Sequence, residues 1–255
     1  ALFAAANANA TIRTLSNNTN SPGQFTTFAA AHTASAAGDT IYVHGSPYNY
    51  GTFSLTKQLT VIGIGHNPQK QAPLKSFVDY IYFGTGSNGS RIIGMEVYEI
   101  HTSTTNINSV EIRLCKILYR ILLDDAGSSN WLVDGCVFTY TNENIYGASS
   151  QSGHRIRNSI FNGQLYSMNG SNGYHYIENN IFLRNGVAFD YVNPAYANNN
   201  IFYRSSPIGT GNGITFSNNI SYQCSNNNFP NGTNLTNQDP KFVNFTGGGA
   251  GTNFS

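Results

Sequence analysis

Asn158-Ser159-Ile160-Phe161 returns as Asn179-Asn180-Ile181-Phe182, as Asn199-Asn200-Ile201-Phe202 and, shortened, as Asn218-Asn219-Ile220. Weaker copies stand upstream at Gly135-Cys136-Val137-Phe138, Cys115-Lys116-Ile117-Leu118 and Met95-Glu96-Val97-Tyr98. The aliphatic anchors fall at 97, 117, 137, 160, 181, 201 and 220, in steps of 20, 20, 23, 21, 20 and 19 residues. A nearly constant period of about 20 residues marks a solenoid. This repeat is too rich in Asn, Gly and β-branched residues to be helical. The chain therefore reads as all-β, a parallel β-helix forming a single domain over residues 11–245.

Composition bounds the surroundings. Apolar residues make up 40% of the 255, enough for a core, but only 10% are charged, against the usual quarter or so. The polar surface must come from Asn, Ser, Thr, Gly and Tyr, a profile that suits an extracellular β-solenoid. A net charge of +1 with no basic run points away from nucleic acid and from an anionic membrane. No apolar stretch is long enough to span a membrane. The three cysteines, Cys115, Cys136 and Cys224, form neither a disulfide framework nor a metal cluster. Cys115 and Cys136 fall at different offsets from their anchors, so their side chains are expected to point differently. Residues 1–10 close on Ala8-Asn9-Ala10, the small-x-small pattern that ends a secretory signal peptide. A mature start at Thr11 and export, into the medium or onto the cell surface, are expected. Residues 246–255 read as a Gly-rich tail.

Asn20-Ser21-Pro22 is a helix-start signal, and the Ala-rich run 24–37 that follows ends at Gly38. A solenoid exposes an apolar end that must be covered, and this short amphipathic helix is the expected cap. Strands follow at Gly38-Asp39-Thr40-Ile41-Tyr42-Val43 and, as two pieces, within Leu55-Thr56-Lys57-Gln58-Leu59-Thr60-Val61-Ile62-Gly63-Ile64-Gly65. From Cys224 to Asn237 the period is lost, which predicts a loop before a last strand at 241–245. The Ala-rich helix, Gly-Asp-Thr-Ile-Tyr-Val, Leu-Thr-Val-Ile-Gly-x-Gly and the late Asp239-Pro240-Lys241-Phe242-Val243 resemble right-handed parallel β-helix proteins of the pectate-lyase-like superfamily, in its secreted bacterial form. The resemblance covers residue 24 to about 245. It implies a right-handed coil but no single activity, because lyases, hydrolases, tailspikes and adhesins share that fold.

Residues one period apart stack about 4.8 Å apart in such a coil, so columns become contacts. The anchors are expected to form an inward aliphatic stack. A second stack is expected four residues earlier at Ile93, Val133, Ile156, Ile177, Ala197 and Phe216, with Ile112 replacing Arg113. Asn158, Asn179, Asn199 and Asn218 read as a side-chain ladder at a bend, since Asn tolerates left-handed backbone. Asp134, Arg157 and Glu178, like Glu96 and Lys116, alternate in sign at one-rung spacing and predict cross-rung ion pairs.

Chemistry is harder to place. Asp124-Asp125, Gly153-His154 and Arg155-Ile156-Arg157 are faintly similar to the polygalacturonase motifs Asp-Asp, Gly-His-Gly and Arg-Ile-Lys. Here Arg155 replaces the third Gly, the last two motifs are fused, and the family's Asn-Thr-Asp is absent. Asp124, Asp125, His154, Arg155 and Arg157 are thus the catalytic candidates, for a glycoside hydrolase or a polysaccharide lyase. No cofactor is expected. The six His show no metal-ligand spacing, and the sequence holds no evident Ca²⁺ site. His154 and His175, one rung apart, read as a solvated pair. Tyrosines among Asn, Ser and Gly suit sugar rings, whose apolar faces stack while their hydroxyls bond. Tyr146, Tyr166, Asp190 and Tyr191 are the ligand-binding candidates. The expected function is a secreted β-helix protein that binds or processes extracellular carbohydrate, the alternative being a structural or adhesin-type surface module. Any function is expected where the repeat breaks, after Leu123, Tyr146, Met168 and Phe189.

Overall fold

Short strands, one from each coil, stack into the first sheet in the order Ile12–Leu15, Thr40–Val43, Thr60–Ile62, Arg91–Ile93, Glu111–Arg113, Leu132–Asp134, Arg155–Arg157, His175–Glu178, Ala195–Asn198 and Ile214–Ser217. The computed structural model describes residues 10–242 except 66–73, 149, 171–172, 184–185, 209–212, 227–228 and 230–231. The leader-like run up to Asn9, the tail and the end of the expected strand at 241–245 lie outside the described residues. The named strands pair in parallel throughout, giving a β-solenoid of about eight turns.

The second sheet begins as single strands, Thr52–Leu55, Phe77–Phe83, Glu96–Thr102 and Lys116–Leu123, and then forks. Val137 and Phe138 pair with Lys116 and Ile117, and that branch continues through Ile160–Phe161, Ile181–Leu183, Ile201–Tyr203, Ile220–Tyr222 and Leu235–Thr236. Ile145, Tyr146 and Gly147 pair with Ile121, Leu122 and Leu123, and that branch continues through Gln164–Tyr166, Val187–Asp190 and Ser206–Ile208. The last strand, Leu235–Thr236, falls inside the expected loop; Lys241 and Phe242 are not in a strand. The final step between equivalent residues, Asn219 to Asn234, is only 15 residues, which hid it from the period.

Register corrects the column assignment by one residue. The inward stack of the first sheet is Val61, Ile92, Ile112, Val133, Ile156, Ile177, Ala197 and Phe216, all buried. Ile112 is inside as expected, but Ile92 rather than Ile93 joins it. In the second sheet Val97 and Ile117 are buried, and Ile117 pairs with Phe138, not Val137. From there the inward column is Phe138, Phe161, Phe182 and Phe202, while Val137, Ile160, Ile181, Ile201 and Ile220 are only half-buried and face outward. The phenyl rings stack at centroid distances of 4.6, 5.0 and 5.2 Å, within 16° of parallel. Such pairs add about 0.5–1.5 kcal/mol each beyond burial.

The bend divides its labour between two neighbours. Gly94, Leu114, Gly135, Asn158, Asn179, Asn199 and Asn218 all have φ between 52° and 66°. The buried column lies one residue later, at Met95, Cys115, Cys136, Ser159, Asn180, Asn200 and Asn219, and half-buried Asn234 continues it. The Asn180 amide donates to Asn200 Oδ1 (3.1 Å), Asn200 to Asn219 Oδ1 (3.1 Å) and Asn219 to Asn234 Oδ1 (2.8 Å). Ser159 accepts from the Cys136 backbone N–H at 3.0 Å. Cys115 and Cys136 therefore share one column, both buried, contrary to the expectation from their offsets.

The helix forms later than its start signal implied, over Phe28–Ala34. Thr27 is the N-cap, its hydroxyl accepting from Ala30 N, and Phe25 instead bridges to Leu15. Lys57 Nζ donates to the carbonyls of His32 and Ser35, each at 2.8 Å, a cation at the negative end of the helix. Phe28 stacks on Phe53 at 4.0 Å and Ala31 is buried, so the helix covers the first coil as expected. At the other end Phe229 packs on Phe202 and Phe216.

Candidate functional site

The point where the second sheet forks is also where its outer face carries the most chemistry. Between Val97 and Glu99 there is one residue, but their partners Ile117 and Arg120 are separated by two. The extra residue is a β-bulge, which bends a strand and re-aims its side chains. Leu118, Tyr119 and Arg120 consequently all reach the outer side, and none of them is buried.

Arg120 bridges two rungs. Its Nε donates to Glu99 Oε1 at 2.8 Å and an Nη donates to Glu143 Oε2 at 3.1 Å. Glu99 Oε2 lies 3.1 Å from His101 Nε2. Glu99 is only 7% exposed in its side chain, and Arg120 21%. Burial works against the Arg120 charge, but the Glu99 hydrogen bond and the Glu99 and Glu143 charges outweigh it and raise its pKa.

Tyrosines surround this clamp in two runs. Tyr82, Tyr80, Tyr98, Tyr119 and Tyr140 make successive ring contacts at 6.0, 5.9, 5.4 and 4.5 Å. Tyr146, Tyr166 and Tyr191 make a second run at 5.4 and 5.7 Å. The Arg120 guanidinium lies over both Tyr119 (4.8 Å) and Tyr146 (5.7 Å) and joins the runs. His101 stacks on Tyr82 at 4.9 Å. Desolvation, and then the Asp190 carboxylate, raise the Tyr166 phenol above its usual value. Desolvation does the same for Tyr80 and Tyr119. These hydroxyls are neutral donors at physiological pH.

The predicted ligand-binding residues Tyr146, Tyr166, Asp190 and Tyr191 are thus brought together on one face. The catalytic candidates are not. Successive residues on a strand face opposite ways, so His154 is buried in the core while Arg155 and Arg157 face out from the first sheet. His154 and His175 do stack, at 5.1 Å and 11°, but inside the coil and not in solvent. Asp124 and Asp125 lie beyond the strand Lys116–Leu123, bonded to the Thr102 hydroxyl. Among the described residues no hydrogen bond or ion pair joins Asp124 or Asp125 to Arg155 or Arg157.

Protein-family models, curated proteins and solved structures yield no match to this chain.

Sequence reading passed over Glu99, His101, Arg120 and Glu143. The signal was present: Glu99, Arg120 and Glu143 alternate in sign at steps of 21 and 23 residues. The same pattern forms ion pairs at two of the places where it was expected, but Glu178 makes none among the described residues. Asp134 pairs with Arg157 at 3.0 Å and with Arg113 at 3.4 Å, and Glu96 with Lys116 at 3.6 Å. Among the described residues no group of three or more His, Cys, Asp or Glu is placed to hold a metal ion, and no helix is long and apolar enough to cross a membrane.

Proposed function

We propose that this is a secreted β-helix protein whose tyrosine-lined outer face binds extracellular polysaccharide. The observation that carries the reading is the pair of tyrosine runs joined through Arg120 across successive rungs. Flat aromatic faces stack on the apolar faces of pyranose rings, and fixed polar groups between them orient the hydroxyls. Glu99 and Glu143 supply acceptors held in place by Arg120, and the phenols supply donors. The resemblance to the pectate-lyase-like superfamily adds support from the chain as a whole.

Binding is favoured over cleavage. Glycoside hydrolysis uses two carboxyl groups free to act as acid and as base or nucleophile. Both carboxylates here are committed to one guanidinium.

Tyr98 and Tyr191 are 39% and 44% exposed, so their loss should leave the fold intact. The test is affinity electrophoresis and a glycan array, with wild type and the Tyr98→Ala/Tyr191→Ala double variant. Wild type should retain at least one polysaccharide, and the double variant should bind it about tenfold more weakly, from two stacking contacts of about 0.5–1.5 kcal/mol each. A wild type that retains no glycan, or a variant that binds equally well, rejects the reading.

A further inference from the structure

We infer that a groove on the outer face of the first sheet is a second, separate binding site, for a ligand that carries an oxyanion (a carboxylate, sulfate or phosphate ester) beside a flat ring. The groove encloses about 560 Å³ between Asn130, Leu132, Arg155, Arg157, Tyr174 and Tyr176. That lies within the roughly 300–1,000 Å³ of small-ligand sites.

Strand alternation sets Arg155 and Arg157 side by side on its wall, with Ile156 turned into the core. Arg155 has no carboxylate within ion-pair distance among the described residues. Its guanidinium rests over the Tyr176 ring at 5.4 Å, which fixes its plane and leaves its edge donors for a ligand. Arg157 donates one N–H to Asp134 at 3.0 Å, but its buried Nε has no hydrogen-bond partner. Asp134 is already shared with Arg113. Glu178, the register neighbour of Arg157, makes no ion pair among the described residues. The wall therefore offers more guanidinium donors than the protein itself satisfies, the condition for bidentate oxyanion recognition.

The ring requirement comes from the opposite wall. Tyr174 is 44% exposed and stacked on Tyr196 at 4.6 Å, so one face is braced and the other is open to the groove. A ring on Tyr174 with an oxyanion toward Arg155 occupies both walls at once.

Trp131, the chain's one tryptophan, keeps its ring in the core, so binding at the groove is read by isothermal titration calorimetry. The full chain is titrated with dextran oligomers that are unmodified, carboxymethylated or sulfated. The two anionic forms should bind at least tenfold more tightly than the unmodified oligomer, with a preference that salt weakens. Whichever anionic form binds tighter names the oxyanion. Arg155→Ala should erase the preference, and Arg155→Lys should keep only part of it. Arg91→Ala removes the same charge from the same sheet outside the groove and should leave the preference intact. Equal affinity for all three oligomers overturns the inference. So does an Arg91→Ala loss as large as that of Arg155→Ala, which would mean adsorption by overall charge.

Discussion

Acid should destabilise this protein through two histidines in its core. His154 and His175 occupy an inward column otherwise filled by Trp131, Ala195 and Ile214. Burial lowers His154 well below its ordinary pKa, with the neighbouring His175 charge adding to the effect. Burial lowers His175 to about 4. An unfolded histidine titrates near 6.5, so as pH falls the unfolded chain takes up the proton first. The stability tied to His175 is whole above pH 6.5, falls below it, and is gone near pH 4. A shift of that size is worth about 3 kcal/mol in full, of which about 2 kcal/mol is lost by pH 5. Asp39 and Asp134, whose folded pKa values are lowered, lose their contribution only as pH falls through the ordinary carboxylate range and below. The window from pH 7 to 5 therefore isolates the histidines. Urea denaturation of wild type and His175→Leu at pH 7 and pH 5 measures it. Whatever the variant's stability at pH 7, its loss between the two pH values should be smaller than that of wild type by about 2 kcal/mol. Equal losses in the two proteins would refute burial of a neutral, titratable ring at this position.

Two substitutions at the bend test its division of labour. Leu114 holds φ 52° with its side chain 59% exposed, in a column where Gly and Asn otherwise stand. Leu114→Asn should stabilise by about 1 kcal/mol, since a left-handed backbone costs an ordinary residue about 1–2 kcal/mol, read as a rise of roughly 2–4 °C in Tm. No rise in Tm would show that the strain is absent. The Asn200 side chain accepts from Asn180 N and Nδ2 and donates to Ile177 O and Asn219 Oδ1. Asn200→Leu keeps the volume and strands those groups, so it should cost about 3–5 kcal/mol in urea denaturation, and a cost below about 1 kcal/mol would deny the ladder its role.

The repeat made the coil legible because a period needs no knowledge of which way a side chain points. Orientation does need it, and there the repeat misled. In Asn179-Asn180-Ile181-Phe182 two adjacent amides and two adjacent apolar residues alternate in role, and composition cannot say which of each pair is inside. The backbone decides. The residue at positive φ turns the corner with its side chain outward, the next amide goes in, Ile181 goes out and Phe182 goes in. Counting from the left-handed residue places all four, and the Gly94 and Gly135 positions mark it in rungs that lack Asn. The clamp at Arg120 was hidden for a different reason. Its bulge inserts a residue between Ile117 and Arg120, so Glu99 and Arg120 fall two and three places after their anchors, and a strict column sets them in different stacks. The tyrosines were visible by their number, but their convergence depends on the bulge and on the fork in the next rung, where Phe138 to Ile145 is three residues longer than the Ile117-to-Ile121 step it pairs with. A break in register is thus where this scaffold, built from identical steps, gains a face unlike its neighbours, and Arg120 at that break reaches the rung before and the rung after.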